Sequence, residues 1–264
     1  MRKANYHTHT TRCHHAVGAD EAYVLAALDA GFNVLGFSDH TPWPFRSGFV
    51  SNIRMGMEDL PDYITSVQSL RAKYADRIEM HMGLEVEYFP RYRDHLLRMR
   101  DAGMEYYILG EHYLESEEDH PYVGQSCATD DGVLRYAEAV AEALQTGLFC
   151  YVAHPDLYMR PRPVFDKVCE QAADIIAQAA READVPLEYN LLGLDSQLTG
   201  HDRGYPCADF WSHLAGKGNR AIIGVDAHDP AMLKDTNLWN EATKRLTELH
   251  YPIQETLPLS YKEE

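Results

Sequence analysis

No apolar run in this 264-residue chain approaches the roughly 18 residues that a membrane-spanning helix requires. The N-terminal stretch MRKANYHTHT lacks an apolar signal core, so the sequence predicts a protein that stays in the cytoplasm. Cysteine is sparse and unpatterned: Cys13, Cys127, Cys150, Cys169 and Cys207 are scattered, odd in number and without a CxxC pair. This excludes a disulfide framework and argues against a thiolate zinc site, leaving reduced thiols as the fitting state. Positive charge is also short, with 24 Lys and Arg against 41 Asp and Glu and a formal net charge of −17. With no basic surplus to displace counterions, a nucleic-acid backbone is disfavoured as the main partner. The same balance disfavours an anionic substrate unless bound metal ions concentrate positive charge inside the protein. No linker, low-complexity stretch or internal repeat interrupts the chain, so residues 1–264 read as one domain.

What is present alternates. Short apolar runs rich in β-branched and aromatic residues predict strands at Ala4–Thr8, Val34–Ser38, Ile78–Glu85, Tyr106–Gly110, Phe149–Ala153, Leu187–Asn190 and Ala221–Val225. Longer stretches with helical spacing predict helices at Asp20–Ala30, Glu58–Tyr74, Tyr92–Asp101, Asp131–Thr146, Phe165–Asp184, Cys207–Ala215 and Leu238–Leu249. Seven β-then-α units imply one parallel α/β domain, and the length suits a barrel, which needs about 250 residues. A doubly wound open sheet shares this alternation. Two connections, Thr41–Met57 and Tyr113–Asp130, are long enough to act as lids or binding loops.

Metal-ligand residue types collect at the ends of the predicted strands. His7, His9 and His15 follow the first, Asp39 and His40 the second, and Glu85 ends the third. His112 follows the fourth, His154 the fifth, and Asp226 and His228 the seventh; the sixth offers only Asn190. Parallel strands all point their C-terminal ends to one side of the sheet, where active sites form, so residues far apart in sequence converge. Any one of these histidines read alone is a capping or surface residue, Asp226 alone a helix cap, and His154-Pro155-Asp156 alone a turn. Together they predict a metal site. In His7-Thr8-His9 the alternation turns both imidazoles to one face. A ligand set of imidazole and carboxylate without thiolate suits zinc, manganese or iron.

The strings HTHTTRCHHAVG, GFSDHTPWP, GLEVEYFP, AHPDLY and GVDAHDP, running from His7 to His228, resemble the PHP (polymerase and histidinol phosphatase) superfamily, in its histidinol-phosphate phosphatase branch. The resemblance implies a distorted, TIM-like (β/α)7 barrel and three divalent metal ions. His7, His9, Glu85 and Asp226 would hold one ion. Glu85, bridging, would share a second with His112 and His154, and His15, His40 and His228 would bind the third. His14 competes with His15 for its place, and motif spacing favours His15. Asp39 reads as a partner orienting an imidazole. Three divalent ions less two carboxylates leave a charge of about +4, enough to attract a phosphate. A water between two ions would have its pKa lowered toward ~7 and become the nucleophile.

The implied reaction is hydrolysis of a small phosphate monoester, L-histidinol phosphate, in histidine biosynthesis. Asp156 is a candidate acid for the departing alkoxide, with a cap or turn as its other reading. Arg160 and Arg203 are candidate phosphate clamps, with Arg46 and Arg54 as alternatives. Asp195 stands where this branch often carries an arginine after the sixth strand, which makes Arg203 a substitute. Trp43 or Phe45 is placed to lie over an imidazole ring, and the acidic run Glu115–Asp119 to attract an ammonium group. Other readings are a PHP phosphoesterase with a different substrate, a metal-binding protein without activity, and an amidohydrolase-like barrel. No lysine ends a predicted strand, as the carboxylated lysine of that last class would require.

Overall fold

The computed structural model describes residues 2–259. Seven strands are buried over nearly all their residues: β1 (Ala4–Asn5), β2 (Val34–Phe37), β3 (Glu79–Val86), β4 (Tyr106–Leu109), β5 (Tyr151–Val152), β6 (Leu187–Asn190) and β7 (Ala221–Gly224). They pair in parallel in sequence order, and a parallel bridge from Thr8 to Ala227 joins the last to the first. The sheet therefore curls into a barrel, which decides against the open doubly wound alternative. His7 and His9 lie just beyond β1, yet the chain stays extended there: Ala227 donates to the His7 carbonyl and accepts from the His9 amide, at 3.1 and 3.0 Å.

Long helices cover the barrel: α1 (Asp20–Asp29), α2 (Leu60–Lys73), α3 (Arg93–Asp101), α5 (Asp130–Gln145), α6 (Lys167–Glu182) and α10 (Thr236–Glu248). Short ones are α4 (Val123–Ser126), α7 (Leu191–Leu198), α8 (Ala208–Leu214) and α9 (Pro230–Leu233). Capping explains where several start. The Thr129 hydroxyl accepts from the Gly132 amide, and an Asp166 carboxylate oxygen accepts from the amides of Val168 and Cys169. Three of these, α4, α7 and α9, fall outside the helices that the sequence pattern predicts. The helix α7 starts directly at the end of β6, where the Asn190 side chain accepts from the Gly193 amide.

Strand alternation sorts the apolar residues into two clusters. Leu35, Phe37, Tyr107, Leu109, Val152 and Leu187 pack outward against the helices. Ala4, Tyr6, Val34, Tyr106, Ile108, Tyr151 and Ile222 fill the barrel interior as a floor. Above this floor, at the C-terminal strand ends, the lining turns polar. Among the described residues no helix is long and apolar enough to cross a membrane.

Candidate metal centre

All nine side chains expected to bind metal meet at the C-terminal mouth of the barrel. Glu85, at the end of β3 and 1% exposed, is the hub. Its Oε2 lies 3.4 Å from the Nε2 atoms of both His7 and His9 and 3.1 Å from Nδ1 of His40. Its Oε1 lies 2.8 Å from Nε2 of His154 and 3.5 Å from Nε2 of His112. One carboxylate thus faces two sets of imidazoles, as a bridging ligand must. Gly110 makes room for it: a Cβ there would sit 2.2 Å from Glu85 Oε1.

A test of fit comes from the first donor set. The Nε2 atoms of His7 and His9 stand 3.1 Å apart, and each is 3.3–3.4 Å from Asp226 Oδ1. Metal–donor bonds of about 2.0–2.1 Å in a tetrahedron place donors about 3.3–3.4 Å apart, a spacing that His7 and His9 keep with Glu85 and with Asp226. Two further triads have donor atoms within 4.8 Å of one another: His40, Glu85 and His112, and His15, His40 and His228. His154 falls in a triad with His7 and Asp226, while its contact with Glu85 keeps it beside the second set. The Nε2 atoms of His15 and His228 are 3.0 Å apart. His14 joins no such group; its φ of 68° ends a one-turn helix, Thr11–Cys13, and turns the chain so that His15 faces the site.

Charge reinforces the geometry. Burial alone would strip protons from His7 and His9, but Asp226 and Glu85, with Glu188 beside His7 and Asp39 beside His9, hold both imidazoles well above their usual pKa. Burial would likewise raise Glu85 and Asp226, yet the facing histidines hold both carboxylates well below the usual range. His228 is driven down to about 3 by burial and by the neighbouring His9. The Nδ1 atom of His154 is buried with no hydrogen-bond partner, and that of His9 has a longer charged contact with Asp39, at 3.4 Å. His154 and Asp226 also adopt left-handed backbones, with φ of 31° and 54°, a strain characteristic of functional positions.

A surrounding ring of residues orients these ligands. Asp39 Oδ1 lies 3.4 Å from His9 Nδ1, and its Oδ2 accepts from the Thr10 amide and hydroxyl. Two orienting carboxylates had no signal in the sequence. Glu188, on β6, accepts from His7 Nδ1 at 2.8 Å and from the His154 amide at 2.9 Å. Glu87 lies 3.1 Å from His112 Nδ1. A lone glutamate in a strand is uninformative until the register shows it facing inward. The sixth strand, which lacks a ligand, therefore supplies a partner for one. Asn190 steadies both carboxylates, its Nδ2 donating to Glu188 at 2.9 Å and to Asp226 at 3.1 Å.

The expected substrate residues divide. The exposed Arg160 stacks on Tyr122, whose hydroxyl accepts from it at 3.0 Å, and Tyr122 in turn stacks on His112. Arg203 is half-buried next to Tyr205, whose ring packs on His154. Arg54 is withdrawn from the cleft: buried, it pairs with Glu87 at 2.8 Å and Glu117 at 2.6 Å. Trp43 does not present its ring to a substrate. It is buried, stacked on Tyr92, and its Nε1 donates to Glu87, because the TPWP segment runs behind the site. Much of the acidic run is also engaged: Glu117 accepts from Arg54 and Ser51, and Glu118 from Ser47 and Arg91, tying the two long loops together. Asp156 is buried and accepts from the Cys207 amide at 2.6 Å and from Trp211 Nε1 at 3.2 Å, tying it to the start of α8; burial raises its carboxyl to about 7.

Residues 5–191 match the PHP domain family, most of the chain and six of its seven strands. The chain belongs to the PHP family. This PHP protein is 32% identical over 236 residues to a Deinococcus radiodurans protein assigned as a histidinol-phosphatase, covering 85% of each. It is 26% identical over 118 residues to a Schizosaccharomyces pombe protein of the same assignment, covering 42% of this chain and 39% of the other. Two solved structures share the PHP fold at TM-score 0.72. One, from Listeria monocytogenes, is 23% identical and covers 89% of this chain and 98% of its own. The other, a Lactococcus lactis histidinol phosphate phosphatase complexed with zinc, L-histidinol and phosphate, is 19% identical and covers 96% and 95%.

Proposed function

We propose that this PHP protein hydrolyses L-histidinol phosphate to histidinol and inorganic phosphate with three divalent cations. The observation that carries the reading is Glu85, one buried carboxylate whose two oxygens face two separate imidazole sets. Kinship with the Deinococcus relative supports the choice of substrate. His7, His9, Glu85 and Asp226 would hold one cation, Glu85 with His112 and His154 a second, and His15, His40 and His228 a third. Cations held there would supply a water-derived nucleophile at neutral pH and neutralise the phosphoryl oxygens.

The chain's own residues do the remainder. Arg160, held against Tyr122 at the rim, offers a planar fork of donors for two phosphate oxygens. Arg203 approaches from the loop after α7. Glu188, Glu87 and Asp39 fix the ligand rings so that Nε2 of His7, of His9 and of His112 is presented inward. Asp156, anchored to α8, sets the course of the loop that carries Arg160.

The experiment is a turnover screen of metal-loaded protein against histidinol phosphate, nucleoside monophosphates and other small phosphate esters, scored by phosphate release. Preference for histidinol phosphate is expected. Vigorous hydrolysis of another ester without turnover of this one would overturn the substrate but keep the centre.

A further inference from the structure

One thiol stands apart from the other four. Cys127 and Cys169 pack within the main apolar core, and Cys150 and Cys207 border apolar clusters. Cys13 is fully buried yet joins neither cluster. Its surroundings are imidazoles instead: Sγ lies within 4.8 Å of a donor nitrogen of His9 and of one of His228, the three forming a potential ligand group. His228 is also a member of the triad with His15 and His40, so the sulfur and the third cation position have that imidazole in common. The backbone makes this arrangement. The turn Thr11–Cys13 ends at His14 in a left-handed conformation, and the Cys13 carbonyl accepts from His15 Nδ1 at 2.7 Å. Thiol and His15 ring are thereby fixed on one short bend. Beside them, His9 Nδ1 is buried and makes no hydrogen bond, Asp39 Oδ1 standing 3.4 Å away, and the His9 and His228 rings stack at 4.0 Å.

We propose that Cys13 is a sulfur donor to the third cation position, beside His15 and His228. With a cation there, Cys13 would bind as a thiolate, its proton released to solvent as the cation enters. This reverses the expectation from cysteine spacing that no thiol takes part. The reason is that one cysteine can join a site assembled from distant histidines without any CxxC pattern. A thiolate favours zinc or iron over manganese at that position, where imidazoles alone discriminate less. The inference rests on the metal centre proposed above and adds a ligand to it.

Cobalt(II) substitution of the full-length protein is the test, because thiolate-to-cobalt charge transfer absorbs in the near ultraviolet and imidazole or carboxylate ligation does not. The wild type loaded to saturation should show that band, and Cys13→Ser should lose it while keeping the visible cobalt bands. Zinc should also lose its preference over manganese at one position of the variant. Cadmium-113 resonances of the wild type supply a check that needs no variant: one should lie far downfield of the rest. Cobalt bound without a charge-transfer band, or a band that survives in Cys13→Ser, overturns the sulfur ligand and leaves the metal centre standing. Failure to take up cobalt or zinc at all overturns both.

Discussion

Glu188 Oε1 accepts from His7 Nδ1 at 2.8 Å, which leaves Nε2 of the same ring aimed at Glu85 and Asp226. The pair spans the barrel from β6 to the end of β1, and only Gly224 allows it, since a Cβ there would sit 1.8 Å from Glu188 Oε1. Glu188→Gln keeps the shape and loses the charge. Zinc affinity at the first position should weaken about 10–100-fold with folding intact, as measured against a chromophoric chelator. Unchanged affinity would mean that His7 needs no carboxylate behind it.

Removal of the hub should cost more than removal of a partner. Glu85→Ala takes a donor from two sets at once, so metal content should fall by at least one ion per chain. The turnover number should drop about 10³-fold or more. Elemental analysis beside steady-state kinetics makes the check; a variant with full metal and near-normal rate would contradict the bridging role.

Two arginines should fail in opposite ways. Arg54→Ala leaves Glu87 and Glu117 buried without their cation and should destabilise the fold by about 3–5 kcal/mol in chemical denaturation. Arg160→Ala removes an exposed side chain and should leave stability unchanged while weakening substrate binding about 10–100-fold, the worth of a charge-assisted hydrogen bond. Equal melting temperatures for the two variants would refute this division.

Stripping the cations exposes a pH dependence. In the metal-free protein, His7 and His9 hold protons well above the usual imidazole range because Asp226 and Glu85 face them. These ion pairs stabilise the stripped fold most fully below the unfolded imidazole pKa, and the effect fades as pH climbs through the raised folded values. The depressed Glu85 and Asp226 contribute above the unfolded carboxylate pKa and lose that contribution only as pH falls through their folded values. Zinc must displace the imidazole protons, so the gain in melting temperature on loading should grow from about pH 6 to about pH 9. A gain independent of pH would show that these rings are already neutral.

The alternation of strands and helices was legible in the sequence because buried parallel strands are apolar throughout and their helices amphipathic. The convergence of nine side chains was legible for a related reason: histidines and carboxylates at strand ends share one side of a parallel fold. Glu188 and Glu87 escaped notice because an inward carboxylate differs from an outward one only in register. The helix α7 was missed because Leu191-Leu192-Gly193-Leu194 lacks a polar face and begins where a strand stops. Arg54 looked like a loop cation on a rim, and only tertiary packing shows it between two glutamates.

The ties that join Arg54, Glu87 and Glu117, and Ser47 and Arg91 to Glu118, turn two long loops into a braced collar around one side of the mouth. Swinging that collar aside would strand an unpaired guanidinium, so a flap opening once per catalytic cycle is energetically unfavourable there.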